Sequence, residues 1–310
     1  MLRLVSAAGV SLACVALLAA PDASAVLRAQ AVFKSQADLV VLHVSVFDGR
    51  SDAVPNLPQS VFRVFEDDKA QDITFFSSAD VPVAVGLVVD NSSSMITRRP
   101  MVLAGATAFA ASSHPADDLF SVVFNEHVRL GLPDGVAFTR SRDQLTSSLG
   151  RFPTGGKTAI YDAVIAGLDH LKDARHQKRA LVVLSDGDDN ASRHSKEQML
   201  AAARASDALI YAVAKHGETS GSRGDPGVMK KLAEVSGGVA YFPRTEKDVV
   251  ESFAEIAGNI RRGYSIGYVP QSSGDGRYHR VRVMALVPGR TGLSTYTRDG
   301  YVAPGPDSPR

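Results

Sequence analysis

The sequence predicts an α/β protein built around a doubly wound, mostly parallel six-stranded sheet. Three observations predict this class: short apolar runs rich in valine, helical patterns between those runs, and separate β-like stretches on either side of them. The clearest run is Val83–Val89, which ends abruptly at Asp90 and the small polar residues after it. An apolar run of this length is typical of a strand that is buried on both faces.

The length of the chain allows more than one domain. Its 310 residues are enough for one sizeable α/β domain and a smaller one. A formal net charge of +1 argues against a nucleic-acid partner, which would require a clustered basic surface. We predict a signal peptide at 1–25, an N-terminal β segment at 26–80, the α/β domain at 81–262, a C-terminal β segment at 263–303 and a disordered tail at 304–310.

The N-terminus has the pattern of a secretory signal. Met1-Leu2-Arg3 supplies the charge, Leu4–Ala20 is apolar, and Ala23-Ser24-Ala25 matches a cleavage site. We therefore expect an exported protein that is secreted, periplasmic or associated with the cell surface, with no membrane-spanning segment after cleavage. The single cysteine, Cys14, lies in the apolar run, and an exported chain without disulfides must be held together by its core. A lipid anchor at Cys14 is the rival interpretation, although Ser11 stands where such signals prefer leucine.

The segments on either side of the α/β region have a β-like pattern. Before it, apolar residues alternate from Val40 to Val46, and Val61–Glu66 and Asp72–Phe76 flank a turn, which predicts a hairpin. After it, strands are predicted at Tyr264–Val269, Arg277–Leu286 and Gly292–Tyr301. Neither segment has enough strands to bury a face alone, so we predict that they form one composite β-sandwich.

Strands and helices alternate within the α/β region, and a sheet of six strands with six helices is expected, although the pattern gives ranges for only five of the strands. After the first strand, further strands are predicted at Leu119–Val128, Ala180–Leu184, Leu209–Ala214 and Val239–Phe242. Helices are predicted at Pro100–Ser113, Ser141–Leu149, Thr158–Leu171, Ser195–Ala205, Pro226–Val235 and Lys247–Ile260. The longer helical segments place apolar residues at steps of three and four, and Asp225 is a capping residue ahead of Pro226.

Polar residues follow the first of these strands directly. Asp90, Ser92 and Ser94 are alternate residues at its carboxyl end, which is where ligands of open α/β sheets lie. One carboxylate and two hydroxyls form an oxygen-only set that suits Mg²⁺, Mn²⁺ or Ca²⁺. Taken alone, the pattern also fits Asp90 or Ser92 as the cap of the next helix. Two later segments favour a metal: Thr154–Thr158 ahead of a helix, and Leu181–Asn190, a strand that ends in acidic residues.

The order Asp90-x-Ser92-x-Ser94, then Thr158, then Asp186 resembles the metal-ion-dependent adhesion site of von Willebrand factor type A (VWA) domains. All five positions match that pattern without a substitution. The resemblance implies that the two serines and the threonine bind a divalent cation, with Mg²⁺ as the first candidate. It also implies that the two aspartates bind the ion directly or through water.

The flanking segments resemble a narrower group. Phe62-x-Val64-x-Glu66-Asp67 before the α/β region and Tyr264-x-Ile266-x-Tyr268-x-Pro270 after it are similar to the VWA-related proteins described in acidobacteria. Asp68 stands where that group usually has glycine in the hairpin turn, which leaves the type of turn open. The resemblance does not define what such a protein binds.

Other residues near the predicted site have more than one interpretation. Gly155 and Gly156 would let the loop backbone approach the ion closely with unusual dihedral angles. Lys157 is either a solvated loop lysine or a contact for an acidic partner. Asp188 either forms a turn or supports the ligands by hydrogen bonds, and Asp188 or Asp189 in place of Asp186 remains an alternative ligand.

Two short motifs were weighed against other functions. Gly150–Thr158 is similar to a phosphate-binding loop, but its spacing is one residue too long and no strand precedes it. Arg223-Gly224-Asp225 has the composition of a cell-adhesion tripeptide, but Asp225 is already predicted to cap a helix. Neither motif is therefore assigned a function.

These patterns predict an exported, metal-dependent protein-binding module of the adhesion type. Its cation is expected to coordinate an Asp or Glu carboxylate of a partner protein. The alternative is a structural cell-envelope protein in which the metal site only stabilises the fold. A hydrolase with a metal-activated water is a third possibility, but no nucleophile with a matching base was found, so no enzymatic activity is expected.

Overall fold

The computed structural model describes residues 39–49, 53–214, 225–270 and 274–305. The predicted signal peptide with Cys14, the Arg223-Gly224 pair and the end of the predicted tail lie outside these residues. The strands are β1 (Val40–Phe47), β2 (Phe62–Glu66), β3 (Lys69–Gln71), β4 (Ile73–Ser77), β5 (Ala84–Asp90), β6 (Asp118–Phe124), β7 (Val128–Leu130), β8 (Arg179–Leu184), β9 (Leu209–Val213), β10 (Ala240–Tyr241), β11 (Tyr264–Tyr268), β12 (Tyr278–Ala285), β13 (Ser294–Tyr296) and β14 (Gly300–Val302). The α-helices are α1 (Arg99–Ser112), α2 (Arg142–Leu149), α3 (Ile160–Leu171), α4 (Lys196–Ala205), α5 (Pro226–Ser236) and α6 (Glu246–Arg262), and 3₁₀ turns cover Gln59–Val61 and Ser93–Arg98. In the described ranges, no helix is long and apolar enough to cross a membrane.

The central sheet has six strands in the order β10-β9-β8-β5-β6-β7. All neighbouring strands are parallel except β7, which runs antiparallel to β6. From β5 the chain moves outward to β6 and β7, then returns to β8 on the other side of β5 and moves outward again. The strand order therefore reverses between β5 and β8, and the crevice beyond their carboxyl ends is where such sheets bind ligands.

Helices cover both faces of this sheet, as the valine-rich strands predicted. Every residue of β5 is buried. Alternate residues of the strand point to opposite faces: Ala84 and Val88 pack with α3, α4 and α5, while Val85, Leu87 and Val89 pack with α1, α2 and α6. The predicted doubly wound α/β class is confirmed.

The predicted strand Leu119–Val128 is wrong as a single strand. The chain turns at 125–127, so that β6 and β7 pair with each other in antiparallel fashion. Asn125 Oδ1 accepts a hydrogen bond of 2.9 Å from the His127 amide, and the Asn125 amide donates to the His127 carbonyl at 3.2 Å. An asparagine that bonds the backbone two residues later favours a turn, and this short turn provides the sixth strand of the sheet.

The flanking strands form two four-stranded sheets, in the orders β13-β1-β11-β4 and β14-β12-β2-β3. Each sheet combines strands from before and after the α/β region, and the apolar residues of both sheets form one shared core. Phe62 of β2 and Tyr264 of β11, for example, have ring centroids 4.9 Å apart. The composite β-sandwich expected from the two short β segments is confirmed.

The predicted hairpin between Val61–Glu66 and Asp72–Phe76 is wrong in its pairing. β2 pairs with β3 through a two-residue turn, and β4 continues into the other sheet, where it pairs with β11. Asp67 and Asp68 have φ values of 47° and 63°, which suits a two-residue hairpin turn. The predicted strand Gly292–Tyr301 is likewise two strands, β13 and β14, which belong to different sheets. Alternating residues do not signal a crossing from one sheet to the other.

Candidate functional site

Asp90 lies at the carboxyl end of β5 and is completely buried. Its Oδ1 accepts a hydrogen bond of 2.8 Å from the Ser92 amide, and its Oδ2 accepts one of 2.7 Å from the Ser185 hydroxyl. The pKa of Asp90 is raised to about 6. Burial is the main cause of the rise and the nearby charge of Asp186 adds to it, while hydrogen bonds from Ser92 and Ser185 oppose it. Both hydrogen-bond donors are neutral, so the dipoles of an amide and a hydroxyl stabilise the charged carboxylate.

Ser92 and Ser94 lie side by side just beyond Asp90, with their hydroxyl oxygens 3.1 Å apart. Ser92 occupies the position before the 3₁₀ turn, but its side chain makes no capping hydrogen bond to that turn. The interpretation of Ser92 as a helix cap is therefore wrong. Ser93 lies between these two residues in the chain but is not part of the pair. Its hydroxyl instead accepts a hydrogen bond of 2.9 Å from the Gly156 amide.

The loop that carries Thr158 is joined to the Ser92 loop through the backbone. The Gly155 amide donates to the Asn91 carbonyl at 2.8 Å, and the Ser93 amide donates to the Gly156 carbonyl at 3.1 Å. The Asn91 side chain donates to the carbonyls of Phe152 and Pro153 in the same loop. These contacts hold the two loops against each other.

Thr158 is buried and is linked to a third loop, which follows β8. Its amide donates to Asn190 Oδ1 at 2.9 Å, and its carbonyl accepts hydrogen bonds of 3.0 Å from the amides of Asn190 and Ala191. Asp186 lies at the start of this third loop. The structure thus joins Asp90, Ser92 and Ser94 directly and places Asp186 near Asp90, while Thr158 is linked to the Asp186 loop through Asn190.

Asp186 is 8% exposed at its side chain and lies 3.7 Å from a guanidinium nitrogen of Arg98. Its Oδ1 accepts a hydrogen bond of 3.4 Å from the Asp188 amide. Asp189 is committed elsewhere, because its carboxylate accepts the Ser192 hydroxyl at 2.6 Å and the Tyr161 amide at 3.4 Å. This arrangement favours Asp186 over Asp189 as the acidic residue of the site.

Gly155 is half-buried, and Gly156 and Lys157 are exposed, in the loop ahead of Thr158. Gly155 and Gly156 have φ values of 144° and 87°, which favour glycine. The Lys157 amide donates to Glu126 Oε2 at 2.8 Å, and a side chain at Gly156 would overlap the Glu126 carboxylate. Glu126 comes from the turn between β6 and β7, and the backbone hydrogen bonds that it accepts lower its pKa.

Sequence reasoning missed Ser185, Arg98 and Glu126, and it assigned Asn190 to a turn-forming loop that could support the ligands. Ser185 directly precedes a predicted ligand, but its role depends on the register of β5 against β8, which pairs Val89 with Leu184. The other three residues act across loops that are distant in the chain. No periodic pattern in the sequence signals such contacts.

The donor set of the site fits a hard divalent cation. It consists of carboxylate and hydroxyl oxygens, which are the ligands that Mg²⁺ and Ca²⁺ prefer. A bound cation would also favour the charged form of Asp90, which burial disfavours. Within the described ranges, no group of three or more His, Cys, Asp or Glu side chains is placed to hold a metal, so a site here requires the hydroxyls as well.

A parallel sheet between two helix layers, with hydroxyls and carboxylates beyond its central strands, defines the class of Rossmann-like α/β domains. Residues 85–188 match the family model of the von Willebrand factor type A domain, and the chain therefore contains a domain of this family. The predicted VWA resemblance is confirmed, and the matched range includes all five predicted ligands. No curated protein matches the chain.

Several solved structures are also similar to this chain. A von Willebrand factor type A protein from Catenulispora acidiphila is 16% identical with a TM-score of 0.49, and the match covers 86% of this chain and 74% of that one. The vWF domain of a type V pili tip protein from Porphyromonas gingivalis is 12% identical with a TM-score of 0.49, over 59% and 96% of the two chains. An aerotolerance-related membrane protein from Bacteroides fragilis is 16% identical with a TM-score of 0.46, over 57% and 98%.

Proposed function

We propose that this protein is an exported, non-catalytic module that binds a partner protein through a divalent cation. The ion, with Mg²⁺ as the first candidate and Mn²⁺ or Ca²⁺ as alternatives, would be held by Asp90, Ser92, Ser94, Thr158 and Asp186. When bound, it would supply a positive charge that attracts an Asp or Glu carboxylate of the partner. The observation that carries the proposal is the buried carboxylate of Asp90, bonded only by neutral donors, beside the paired hydroxyls of Ser92 and Ser94.

The surrounding residues support this role by holding the oxygen donors in place. Ser185 and the Ser92 amide bond the two carboxylate oxygens of Asp90 and so orient them. Asn190 fixes the backbone of Thr158 on both its donor and its acceptor side. Three of the five donors are neutral hydroxyls, so the donor set leaves room for an anionic group from outside.

Two cations near the proposed site suit an acidic partner. Lys157 is exposed on the loop that carries Thr158, and the side chain of Arg98 is 20% exposed beside Asp186. Both cations would attract a carboxylate that approaches the ion. Export of the protein is proposed on the signal-like pattern of residues 1–25.

The first test is calorimetric titration of Mg²⁺ and Mn²⁺ into the chelator-treated full chain. Asp90→Asn should abolish saturable binding, because it removes a charged ligand with little change of shape. Asp118→Asn is the matched control: Asp118 is also a buried carboxylate, but it begins β6 at the opposite end of the sheet and pairs with Arg175. Equal loss in both variants would point to general destabilisation and count against the site.

The second test measures partner chemistry. A peptide that presents Asp or Glu should bind in Mg²⁺ and be released by chelator, and the same peptide with Asn and Gln should not bind. A metal that raises the melting temperature without any peptide binding would favour the structural alternative. Absence of metal binding, even with acetate present, would overturn the proposed function.

A further inference from the structure

Two consecutive arginines follow the loop of the proposed metal site, and they have different contacts. Arg99 donates to the Asn91 side chain and to the Leu149 carbonyl, so it fastens the loop to the end of α2. Arg98 turns instead toward Asp186, with its Nη1 3.7 Å from Oδ2. Arg98 belongs to the segment after β5 and Asp186 to the loop after β8, so the pair joins the two sides of the crevice.

The Arg98–Asp186 pair is sheltered from water. The side chains are 20% and 8% exposed, so bulk solvent screens the attraction between them less than at an open surface. On its other side, Arg98 contacts the Met95 sulfur at 3.8 Å and lines a small cavity with Met101 and Leu184. A second arginine, Arg244, lines the same cavity. Among the described residues, Asp186 is the acidic side chain that pairs with the Arg98 guanidinium.

A guanidinium and a divalent cation on the same carboxylate exclude each other in part. Arginine stays protonated over the whole working pH range, so its charge cannot be lost to make room for the ion. Asp186 must therefore exchange an ion pair with Arg98 for an ion pair with the metal. We propose that Arg98 is an internal competitor of the divalent cation, which weakens metal binding and sets the metal concentration at which the site fills.

This inference rests on the proposed function, and it adds a residue that regulates the same site. It predicts that the apparent dissociation constant for Mg²⁺ falls about tenfold in Arg98→Gln, because a unit charge and a competitor close to the ion are both removed. In chelator, the same variant should melt at a lower temperature than the wild type, since buried Asp186 loses its counter-ion. Added Mg²⁺ should then raise the melting temperature of the variant more than that of the wild type.

Two matched variants separate this role from a general change in charge. Arg98→Lys retains the charge and should bind Mg²⁺ much as the wild type does. Arg175→Gln removes the same charge at the opposite end of the sheet, where Arg175 pairs with Asp118 at 2.7 Å, and should leave Mg²⁺ affinity unchanged. Tighter binding in Arg98→Gln alone supports the inference.

The remaining outcomes overturn one claim or the other. Equal or weaker Mg²⁺ binding in Arg98→Gln, with saturable binding in the wild type, would overturn the competitor role and leave the proposed function standing. Tighter binding in both glutamine variants would reduce the effect to net charge and would also overturn it. If neither the wild type nor any variant binds Mg²⁺ or Mn²⁺, the proposed function fails and this inference fails with it.

Discussion

The Ser185 hydroxyl donates a hydrogen bond of 2.7 Å to Asp90 Oδ2 and so joins the ends of two neighbouring parallel strands. The register of β5 and β8 explains why they meet, because the last paired residues are Val89 and Leu184 and each partner follows directly. Ser185 is thus a positioning residue for the carboxylate on which the proposed metal site depends. It also lowers the pKa of Asp90, against the rise caused by burial.

Ser185→Ala should therefore weaken metal binding as well as the fold. A buried carboxylate that loses one of its donors costs about 1 to 3 kcal/mol of stability, and the pKa of Asp90 should rise further. The measurement is urea unfolding in chelator, together with Mg²⁺ titration at neutral pH.

Ser148→Ala provides the control for this substitution. The Ser148 hydroxyl is also buried, and its hydrogen bonds go to the Ser121 hydroxyl at 2.6 Å and to the Leu145 carbonyl rather than to a predicted ligand. This variant should lose stability but keep the Mg²⁺ affinity of the wild type. Identical affinities in the two variants would show that Ser185 does not position Asp90 for the ion.

Gly156→Ala should disturb the site loop more than Gly155→Ala. Both glycines have positive φ, so both substitutions strain the backbone. Only the side chain at Gly156 would also displace a neighbour, the exposed Glu126 carboxylate, which would then lose its hydrogen bond from the Lys157 amide; a side chain at Gly155 would meet open space. We expect a lower melting temperature and weaker Mg²⁺ binding in Gly156→Ala, measured side by side with Gly155→Ala. Equal losses of melting temperature and of Mg²⁺ affinity in the two variants would mean that backbone strain alone causes them.

The sequence predicted the sheet because burial on both faces leaves a simple signal. Valine-rich runs such as Val83–Val89 can be assigned to strands without knowing their neighbours, and the polar residues after them then fall on one edge. The course of the chain outside those runs was harder to predict. A turn inside an apolar pattern at Asn125 and the passage of β4 from one sheet to the other leave the alternation of residues intact.

The candidate site was predictable only in its oxygen donors. Asp90, Ser92 and Ser94 stand at fixed spacing in the sequence, and Thr158 and Asp186 follow from the resemblance to a family. The residues that hold these donors do not follow from spacing. Arg98, Ser185 and Asn190 act through strand register and through loop contacts, which depend on the folded structure.

His279 should make the stability of the β-sandwich depend on pH. Its Nδ1 lies 2.8 Å from Asp67 and its Nε2 3.1 Å from Asp275, with Glu66 at 4.0 Å and the Tyr301 ring stacked nearby. The hydrogen bond to Asp275 raises the pKa of His279, burial opposes the rise, and the hydrogen bond to Asp67 adds to it. Hydrogen bonds from backbone amides, that of Arg280 to Asp67 and that of Arg277 to Asp275, lower the pKa of both aspartates, and the hydrogen bonds with His279 lower it further.

The direction of the pH effect follows from these shifts. Because the pKa of His279 is raised in the folded protein, the contacts of its charged form stabilise the fold fully below about pH 6.5, the pKa of an unfolded histidine. This stabilisation is lost as pH rises through the pKa of His279 in the folded protein. Because the pKa values of Asp67 and Asp275 are lowered in the folded protein, their charged forms stabilise the fold above about pH 4, and this stabilisation is lost as the pH falls further into acid. We expect the urea midpoint of the wild type to fall as pH rises above about 6.5, and to change less in His279→Gln. His194→Gln, which removes a half-exposed histidine beside Asp162, should keep the pH dependence of the wild type. A wild-type dependence in His279→Gln would contradict this role.

Tyr268 and Tyr301 both donate their hydroxyls to one oxygen of buried Glu66, at 2.7 and 2.8 Å. Burial and the nearby Glu66 raise the pKa of Tyr268, so it remains a donor at neutral pH. Tyr268→Phe leaves the carboxylate with one of these two donors and should reduce the free energy of unfolding by about 1 to 3 kcal/mol. Tyr278→Phe is the matched control: it removes a hydroxyl that bonds Asp299 from a ring that is 45% exposed, and should cost less than about 0.5 kcal/mol. Urea unfolding of the two variants measures the difference, and equal costs would mean that water replaces the lost donor at Glu66.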